Sequence, residues 1–335
     1  MIKAAVIGVG AMGRHHARVY NDMEGVELVA VVDADGERAE EIARRYKVRP
    51  YADYREMLEQ ERPEVVSVAV PTRFHHRVAL DVMEKGVHLL IEKPIASTVE
   101  EAEDIIRQAD ERGLKLAVGH VERFNPAVIE LKKRLERREL GRVFLAHARR
   151  LGPFPERVRD MGVVIDLATH DLDVMCYLLG SKVERVYAET TRRIHTQYED
   201  LLSGLLRFKN GTIGVLNVNR LTPTKIRELT LTGERGMFVV NYLTQDLYFY
   251  ENDYAVGGWE SLGILKGVGE GNMIRLRIEK KEPLRAELEF FVKAVVGNRQ
   301  PLVSGEDGLR ALVLAQQLIE SGQSGRVVEI GVVYR

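Results

Sequence analysis

The sequence predicts an α/β protein of two domains, a doubly wound parallel sheet followed by a domain with a large, mostly antiparallel sheet. Three observations predict this class. At about 150 residues per domain, 335 residues favour two domains. Up to about residue 120, short, nearly continuous runs of Val, Ile and Leu alternate with helical segments, which is typical of strands buried on both faces. After about residue 125, strand-like segments follow one another across short turns.

The strand–helix rhythm of the first domain implies right-handed crossovers and a boundary near residue 121, giving domains 1–121 and 122–335. The expected strands are Ile2–Ile7, Val26–Val32, Val65–Val70, Val87–Ile91 and Leu114–Val118. The expected helices between them are His15–Met23, Gly36–Tyr46, His75–Lys85 and Val99–Arg112.

In the second domain, Asn125 is the expected N-cap of a helix that has Pro126 at its first position and runs to about Glu139. Asn210-Gly211 suits a type I′ hairpin, which needs two positive φ angles. The glycine-rich stretch Val256–Asn272 is expected to be a loop. Two late helices, about Leu284–Val296 and Asp307–Ser321, are expected to pack against the second sheet. The expected strands are Arg142–Arg150, Lys182–Ile194, Asp200–Phe208, Thr212–Arg220, Arg227–Thr232 and Met237–Asn241.

Composition excludes several classes of function. Lys and Arg number 49 and Asp and Glu 50, so no net basic field attracts nucleic acid. No apolar run approaches the ~20 residues of a membrane span. The single cysteine, Cys176, excludes an internal disulfide framework and a cysteine-based zinc site. With a strand-like segment at the N-terminus and no leader before it, we expect a cytoplasmic protein.

A glycine fingerprint, Gly8-Val9-Gly10-Ala11-Met12-Gly13, follows the first strand and opens a helix. Backbone N–H groups and the helix dipole can hold a pyrophosphate there. Asp33 ends the second strand, where a carboxylate binds both ribose hydroxyls and favours NAD over NADP. Arg38 lies nearby and can meet a 2′-phosphate, so NADP stays possible.

Glu92-Lys93-Pro94 follows the fourth strand, at the sheet edge where such folds place their ligands. Pro94 ends the strand and presents the Lys93 ammonium at a fixed point. The structural alternative is a solvated Lys93 with Glu92 as its surface partner.

Asp166 and His170 lie four residues apart before an amphipathic stretch that ends at Gly180. On a helix they share a face, and a carboxylate beside an imidazole raises its pKa and orients it as a general base. The alternative is that Asp166, Thr169 or Asp171 caps the helix and His170 is an interior residue.

These motifs resemble the Gfo/Idh/MocA family of NAD(P)-dependent sugar and cyclitol oxidoreductases over essentially the whole chain. The resemblance implies a Rossmann domain, an oligomerisation sheet that forms a homodimer or homotetramer, and a site between the domains. It implies that Lys93, Asp166 and His170 are catalytic and also bind the substrate. It adds Pro71, Thr72, His75, Glu92 and Lys93 as cofactor residues, although the family often has Asn where Thr72 stands.

A narrower resemblance, to the subgroup that oxidises C3 of UDP-N-acetylglucosamine, rests on 118–126 and on Leu151-Gly152-Pro153-Phe154-Pro155. Arg123 is then a cofactor anion contact or, equally, an inter-domain salt bridge. Arg157, with Arg159, is expected to bind a substrate diphosphate, unless both are solvated surface residues.

We therefore expect an NAD(P)-dependent dehydrogenase in which His170 takes the hydroxyl proton, Lys93 places positive charge beside that oxygen, and Asp166 orients His170 or binds a neighbouring hydroxyl. Inositol and free aldoses are the alternative substrates. The rival from another class is a non-catalytic dinucleotide-binding redox sensor. A metalloenzyme using His15-His16, His75-His76 or His170-Asp171 is a third possibility.

Overall fold

The computed structural model describes residues 1–154, 161–194, 197–252 and 270–331. The chain divides into two compact units, one formed by 1–124 with 282–313 and the other by 125–281 with 314–335. The first break lies three residues beyond the predicted boundary. The structure differs from the predicted division in assigning 282–313 to the first unit.

The first unit contains a parallel sheet of order β3-β2-β1-β4-β5-β6, in which the strand order reverses between β1 and β4. The doubly wound prediction is confirmed. The short β3 and the helix after it were not predicted. The strands are β1 Ile2–Ile7, β2 Val26–Val32, β3 Arg49–Tyr51, β4 Val65–Val68, β5 His88–Ile91 and β6 Leu116–Val118. The helices are α1 Gly13–Asn21, α2 Gly36–Tyr46, α3 Tyr54–Glu61, α4 His75–Glu84 and α5 Val99–Glu111.

The second unit contains a mixed sheet of nine strands among the described residues, in the order β14-β13-β12-β11-β7-β10-β9-β8-β15. Of its pairings between described strands, that of β7 with β10 is parallel and the others are antiparallel, so the mostly antiparallel prediction is confirmed. The strands are β7 Val143–Leu151, β8 Val183–Thr191, β9 Leu201–Phe208, β10 Ile213–Asn219, β11 Ile226–Gly233, β12 Gly236–Asn241, β13 Asp246–Asn252, β14 Glu270–Arg275 and β15 Val328–Glu329.

Helices cover one face of this second sheet. Helix α6, Pro126–Glu136, begins at the predicted cap, where the Asn125 side chain accepts the Ala127 N–H. Helix α7, Thr169–Leu179, ends at Gly180 with φ 57°, as predicted. Side chains of both helices share one core with the inward residues of the sheet.

The C-terminal helices correct one expectation. Helix α8, Pro283–Val296, packs against α1 and places Leu288 and Phe291 in the core of the first unit. Its predicted packing on the second sheet is therefore wrong. Helix α9, Gly305–Ser324, contributes Leu314 and Leu318 to the core of the second unit, as predicted for that helix.

Two local predictions also differ from the structure. The turn between β9 and β10 has a positive φ at Gly211 but not at Asn210, and Phe208 and Thr212 pair across three loop residues. It is therefore a three-residue hairpin rather than a type I′ turn. The described end of the expected loop, Glu270–Asn272, lies in β14, and 256–269 lie outside the described residues.

Candidate active site

The glycine fingerprint forms a tight crossing of backbone after β1. A Cβ on Gly13 would lie 1.7 Å from the Gly8 carbonyl oxygen, and one on Gly8 would lie 2.7 Å from the Ala69 carbonyl oxygen. Gly8 also has φ +87°, a conformation that favours glycine. Gly10 differs, since a Cβ there would meet nothing within 4 Å. The turn is therefore packed on its inner side and open at Gly10, as backbone that receives a phosphate must be.

A cleft of about 450 Å³ lies beside this open backbone, lined by Val9, Gly10, Ala11, Arg14, Arg38, Glu41 and Ile42. Asp33 reaches its edge, where its carboxylate accepts the Val9 N–H at 2.9 Å and the Asp35 N–H at 3.0 Å. Arg38 donates to the same carboxylate at 3.2 Å and is half-exposed. The cleft, the carboxylate and the open glycine together fit a dinucleotide.

The remaining predicted cofactor residues of the first unit lie at or near the starts of helices. Met12, within the fingerprint, is exposed, and Pro71 precedes a 3₁₀ turn that contains Thr72. His75 is buried, with its ring nitrogens 2.9 Å from the carbonyl oxygens of Pro94 and Val70. Burial lowers the pKa of His75. His75 thus supports the loop backbone from inside.

Lys93 comes two residues after β5 and is half-buried, with a cis peptide bond to Pro94. Glu92 is buried and binds His16 on α1 at 2.9 Å. The alternative in which Glu92 is a surface partner of Lys93 is therefore wrong. The Lys93 side chain extends from a well-packed segment at the carboxyl end of the sheet, which is the position predicted for this lysine.

Arg123 has a structural partner in the first unit. Its guanidinium is 3% exposed and donates to Asp307 at 2.9 Å and to the Leu302 carbonyl at 3.1 Å. Leu302 lies before α9 and Asp307 in its first turn, and both belong to the first unit, as Arg123 does. The ion-pair alternative is therefore present, but it lies within the first unit rather than between the domains, and the cofactor contact stays a prediction.

Asp166 and His170 lie in one helical stretch of the second unit. A π-helical turn, Val164–Ala168, carries Asp166 and leads directly into α7, which carries His170. Gly162 precedes the stretch, and a Cβ there would lie 1.9 Å from Glu199 Oε1. Single π turns are frequent at functional sites. The predicted helical context of this pair is present.

Two buried arginines around this stretch were not predicted as site residues. Arg220, at the end of β10, binds the Asp166 carboxylate and donates to the Met161 carbonyl at 3.2 Å. The Arg150 guanidinium on β7 donates two hydrogen bonds, of 2.7 and 3.0 Å, to the Asp171 carboxylate. An arginine in a strand, or just after one, carries no sequence signal for such a pairing, since its partner and its burial come from distant segments.

Arg157 and Arg159 lie outside the described residues. Among residues that the structure describes, no group of three or more His, Cys, Asp and Glu side chains could hold a metal ion. In the same residues, no helix is both long and apolar enough to cross a membrane.

A parallel sheet with a glycine cradle, an acidic residue after β2 and a lysine after β5 defines an NAD-binding oxidoreductase. Residues 2–120 match the family model described as an oxidoreductase family with an NAD-binding Rossmann fold, and residues 128–239 match the GFO/IDH/MocA C-terminal domain. The chain belongs to the Gfo/Idh/MocA family, and it is an NAD-dependent dehydrogenase that acts on CH–OH groups of sugars or polyols.

The chain is similar to several named relatives. It is 31% identical over 317 residues to UDP-N-acetylglucosamine 3-dehydrogenase of Acidithiobacillus ferrooxidans, covering 95% of this chain and 96% of the relative. A crystal structure of that enzyme superposes with TM-score 0.85 at 30% identity, covering 96% and 98%. The chain is 25% identical to scyllo-inositol 2-dehydrogenase (NAD(+)) of Bacillus subtilis, covering 99% and 97%.

Proposed function

We propose that the chain oxidises C3 of UDP-N-acetylglucosamine with NAD, giving the 3-keto sugar nucleotide. The observation that carries the proposal is the full-length 31% identity to an enzyme named for that reaction. Free inositols are the second candidate, because an inositol dehydrogenase also matches along its whole length, at 25% identity.

We propose roles for three residues in this reaction. His170 takes the proton of the reacting hydroxyl, and Lys93 stabilises the negative charge that develops on its oxygen. The pairing of Asp166 with Arg220 supports an ionised Asp166 that orients His170 or binds a neighbouring hydroxyl. When bound, the nicotinamide ring accepts the hydride that leaves the carbon.

The oligomeric state, the cellular location and the use of NADP are also proposals. The outward side of β9 and β10 presents Leu205 at 48% and Ile213 at 41% exposure, which supports a homodimer or homotetramer formed through this sheet. The cytoplasmic location stays a prediction based on composition. Use of NADP is a further possibility through Arg38.

A substrate screen tests the proposal. NAD and NADP are each mixed with UDP-N-acetylglucosamine, inositols and free hexoses, and reduction is followed at the nicotinamide absorbance band. We expect turnover with NAD and the sugar nucleotide. Oxidation of an inositol but not of the nucleotide sugar would overturn the substrate and leave the enzyme class intact.

Variants test the residue roles. Lys93→Ala and His170→Ala should each lower turnover by about two to four orders of magnitude, because each removes a group that acts on the proton or the oxyanion. NADH affinity, measured by fluorescence titration, should persist. Wild-type turnover in both variants would contradict the assignment.

A further inference from the structure

A chain of buried polar side chains connects α1 to the lysine segment within the first unit. His16 on α1 has no exposed surface, and its Nε2 donates to Glu92 Oε1 at 2.9 Å. Its Nδ1 lies 3.0 Å from Ser67 Oγ on β4, and the buried Tyr20 hydroxyl lies 2.9 Å from the same oxygen. The second Glu92 oxygen accepts the backbone N–H of Lys93 at 3.2 Å. A buried network joined this completely is rigid.

The charge state of Glu92 suits this arrangement. Burial raises the pKa of its carboxyl, but the hydrogen bond and charge of His16, together with the charge of Lys93, outweigh burial and hold the pKa below its ordinary value. Glu92 is therefore a buried carboxylate that can accept both the His16 and the Lys93 donors.

Gly119, after β6, packs directly over this carboxylate. A Cβ at Gly119 would lie 3.0 Å from Glu92 Oε2 and 3.1 Å from its Cδ. The Gly119 N–H bonds the Ile91 carbonyl at 2.8 Å, so its backbone has little freedom to move away. Glycine at this position thus leaves the space that the Glu92 carboxylate occupies.

The other neighbour of Lys93 is also held by a buried histidine. A ring nitrogen of His75, on α4, lies 2.9 Å from the Pro94 carbonyl oxygen. The peptide before Lys93 is thus tied to α1 through Glu92, and the residue after it is tied to α4. Since Lys93 itself is only half-buried, these two ties fix the point from which its side chain extends.

We propose that Glu92 is a positioning residue that sets the backbone of Lys93 for catalysis; it is held by His16, which Ser67 and Tyr20 support in turn. The proposal rests on the catalytic role of Lys93 proposed above. Helix α1 begins at the fingerprint Gly13, so one hydrogen-bonded unit contains both the helix after the phosphate turn and the lysine segment. Glu92 acts through Lys93 and need not touch the substrate.

Two variants perturb the carboxylate in different ways. Glu92→Gln keeps its shape and removes its charge, whereas Gly119→Ala keeps every polar group and displaces the carboxylate by a few tenths of an ångström. We expect each to lower kcat about 10- to 100-fold, because small misplacements of a catalytic group are that costly. KM and NADH affinity should stay within about twofold. Gly36→Ala, where a Cβ meets nothing within 4 Å, is the matched control with unchanged kcat.

A pair of substitutions at His16 supplies a rescue readout. His16→Gln can still donate from the place of Nε2 to Glu92, whereas His16→Asn can reach only toward Ser67. We expect His16→Gln to keep several-fold more turnover than His16→Asn, although both remove the imidazole. Equal kcat in two folded His16 variants, verified by calorimetry, would contradict the proposal.

The assays use UDP-N-acetylglucosamine, or the inositol or hexose that reduces NAD in the screen. Wild-type turnover in Lys93→Ala would refute the role of Lys93 and the positioning proposal with it. Loss of turnover in Lys93→Ala, with wild-type kcat in folded Glu92→Gln and Gly119→Ala, would refute the positioning proposal alone. Reduced stability or NADH affinity at unchanged saturating kcat would also refute it, since that is a purely structural effect.

Discussion

Replacing Arg123 by methionine separates a structural from a cofactor role for this residue. Methionine keeps much of the volume and removes the guanidinium that bonds Asp307 at 2.9 Å and the Leu302 carbonyl at 3.1 Å. Asp307 also closes the first turn of α9, since it accepts the Ser304 N–H at 3.1 Å while Ser304 Oγ accepts the Asp307 N–H at 3.3 Å. The variant therefore leaves a mostly buried carboxylate without its main counter-ion.

The expected cost follows from that geometry. Breaking a buried ion pair by removing one partner typically costs about 3–5 kcal/mol, most of it from the charge left behind. Asp307 keeps a 2.9 Å contact with the partly exposed Arg310, so we expect the lower end, about 3 kcal/mol. Adding Asp307→Asn should recover part of this loss, because no uncompensated charge then remains.

The stability that Arg123→Met loses should depend on pH. Burial raises the pKa of Asp307, but the hydrogen bond and charge of Arg123 outweigh it and hold the pKa below the ordinary value. In the wild type this carboxylate contributes stability above its unfolded pKa of about 3.9, which is lost as the pH falls through the lower folded value. Without Arg123 the folded pKa rises, so the penalty is greatest near pH 7 and shrinks toward pH 4.

Calorimetry with and without NAD measures the effect, because the transition that NAD raises belongs to the dinucleotide-binding unit. We expect Arg123→Met to lower that transition and to leave NADH affinity and kcat within about twofold at temperatures where it is folded. A loss below 1 kcal/mol together with a tenfold weaker NADH affinity would refute the structural assignment and support the cofactor contact.

Three further predictions concern the two units. Arg220→Met should lower kcat about 10- to 100-fold at unchanged NADH affinity, because Asp166 loses a charged hydrogen bond of about 1.5–3 kcal/mol. Arg220→Lys should recover part of the lost kcat, whereas equal kcat in wild type and Arg220→Met would contradict a role of Arg220 in the reaction. Leu205→Glu should reduce the mass measured by light scattering after gel filtration, because it charges the exposed sheet face; an unchanged mass would place the interface elsewhere. Asp33→Asn should raise the NADP-to-NAD ratio of kcat/KM about tenfold, because the charge that binds Arg38 is removed; an unchanged ratio would refute that role.

The sequence alone predicted the features of this protein that depend on local residue patterns. Buried parallel strands have a continuous apolar signature, so five of the six strands of the first unit were readable, and only the short β3 was not. The fingerprint was equally readable, because the close approach between Gly8 and Gly13 is a requirement of backbone geometry within six residues. Asn125 and Gly180 predicted the start of α6 and the end of α7, because helix capping depends on a few neighbouring residues.

What only the tertiary structure decided is the partner of each buried charge. Arg123 pairs with Asp307 across more than 180 residues, and Arg220, just after β10, binds Asp166 in the π-helical turn. The packing of α8 on the first unit is of the same kind, since an amphipathic helix specifies that it has an apolar face but not which core receives it. Such choices are made by long-range burial, which removes charges from water and leaves each one dependent on a neighbour that no local pattern names.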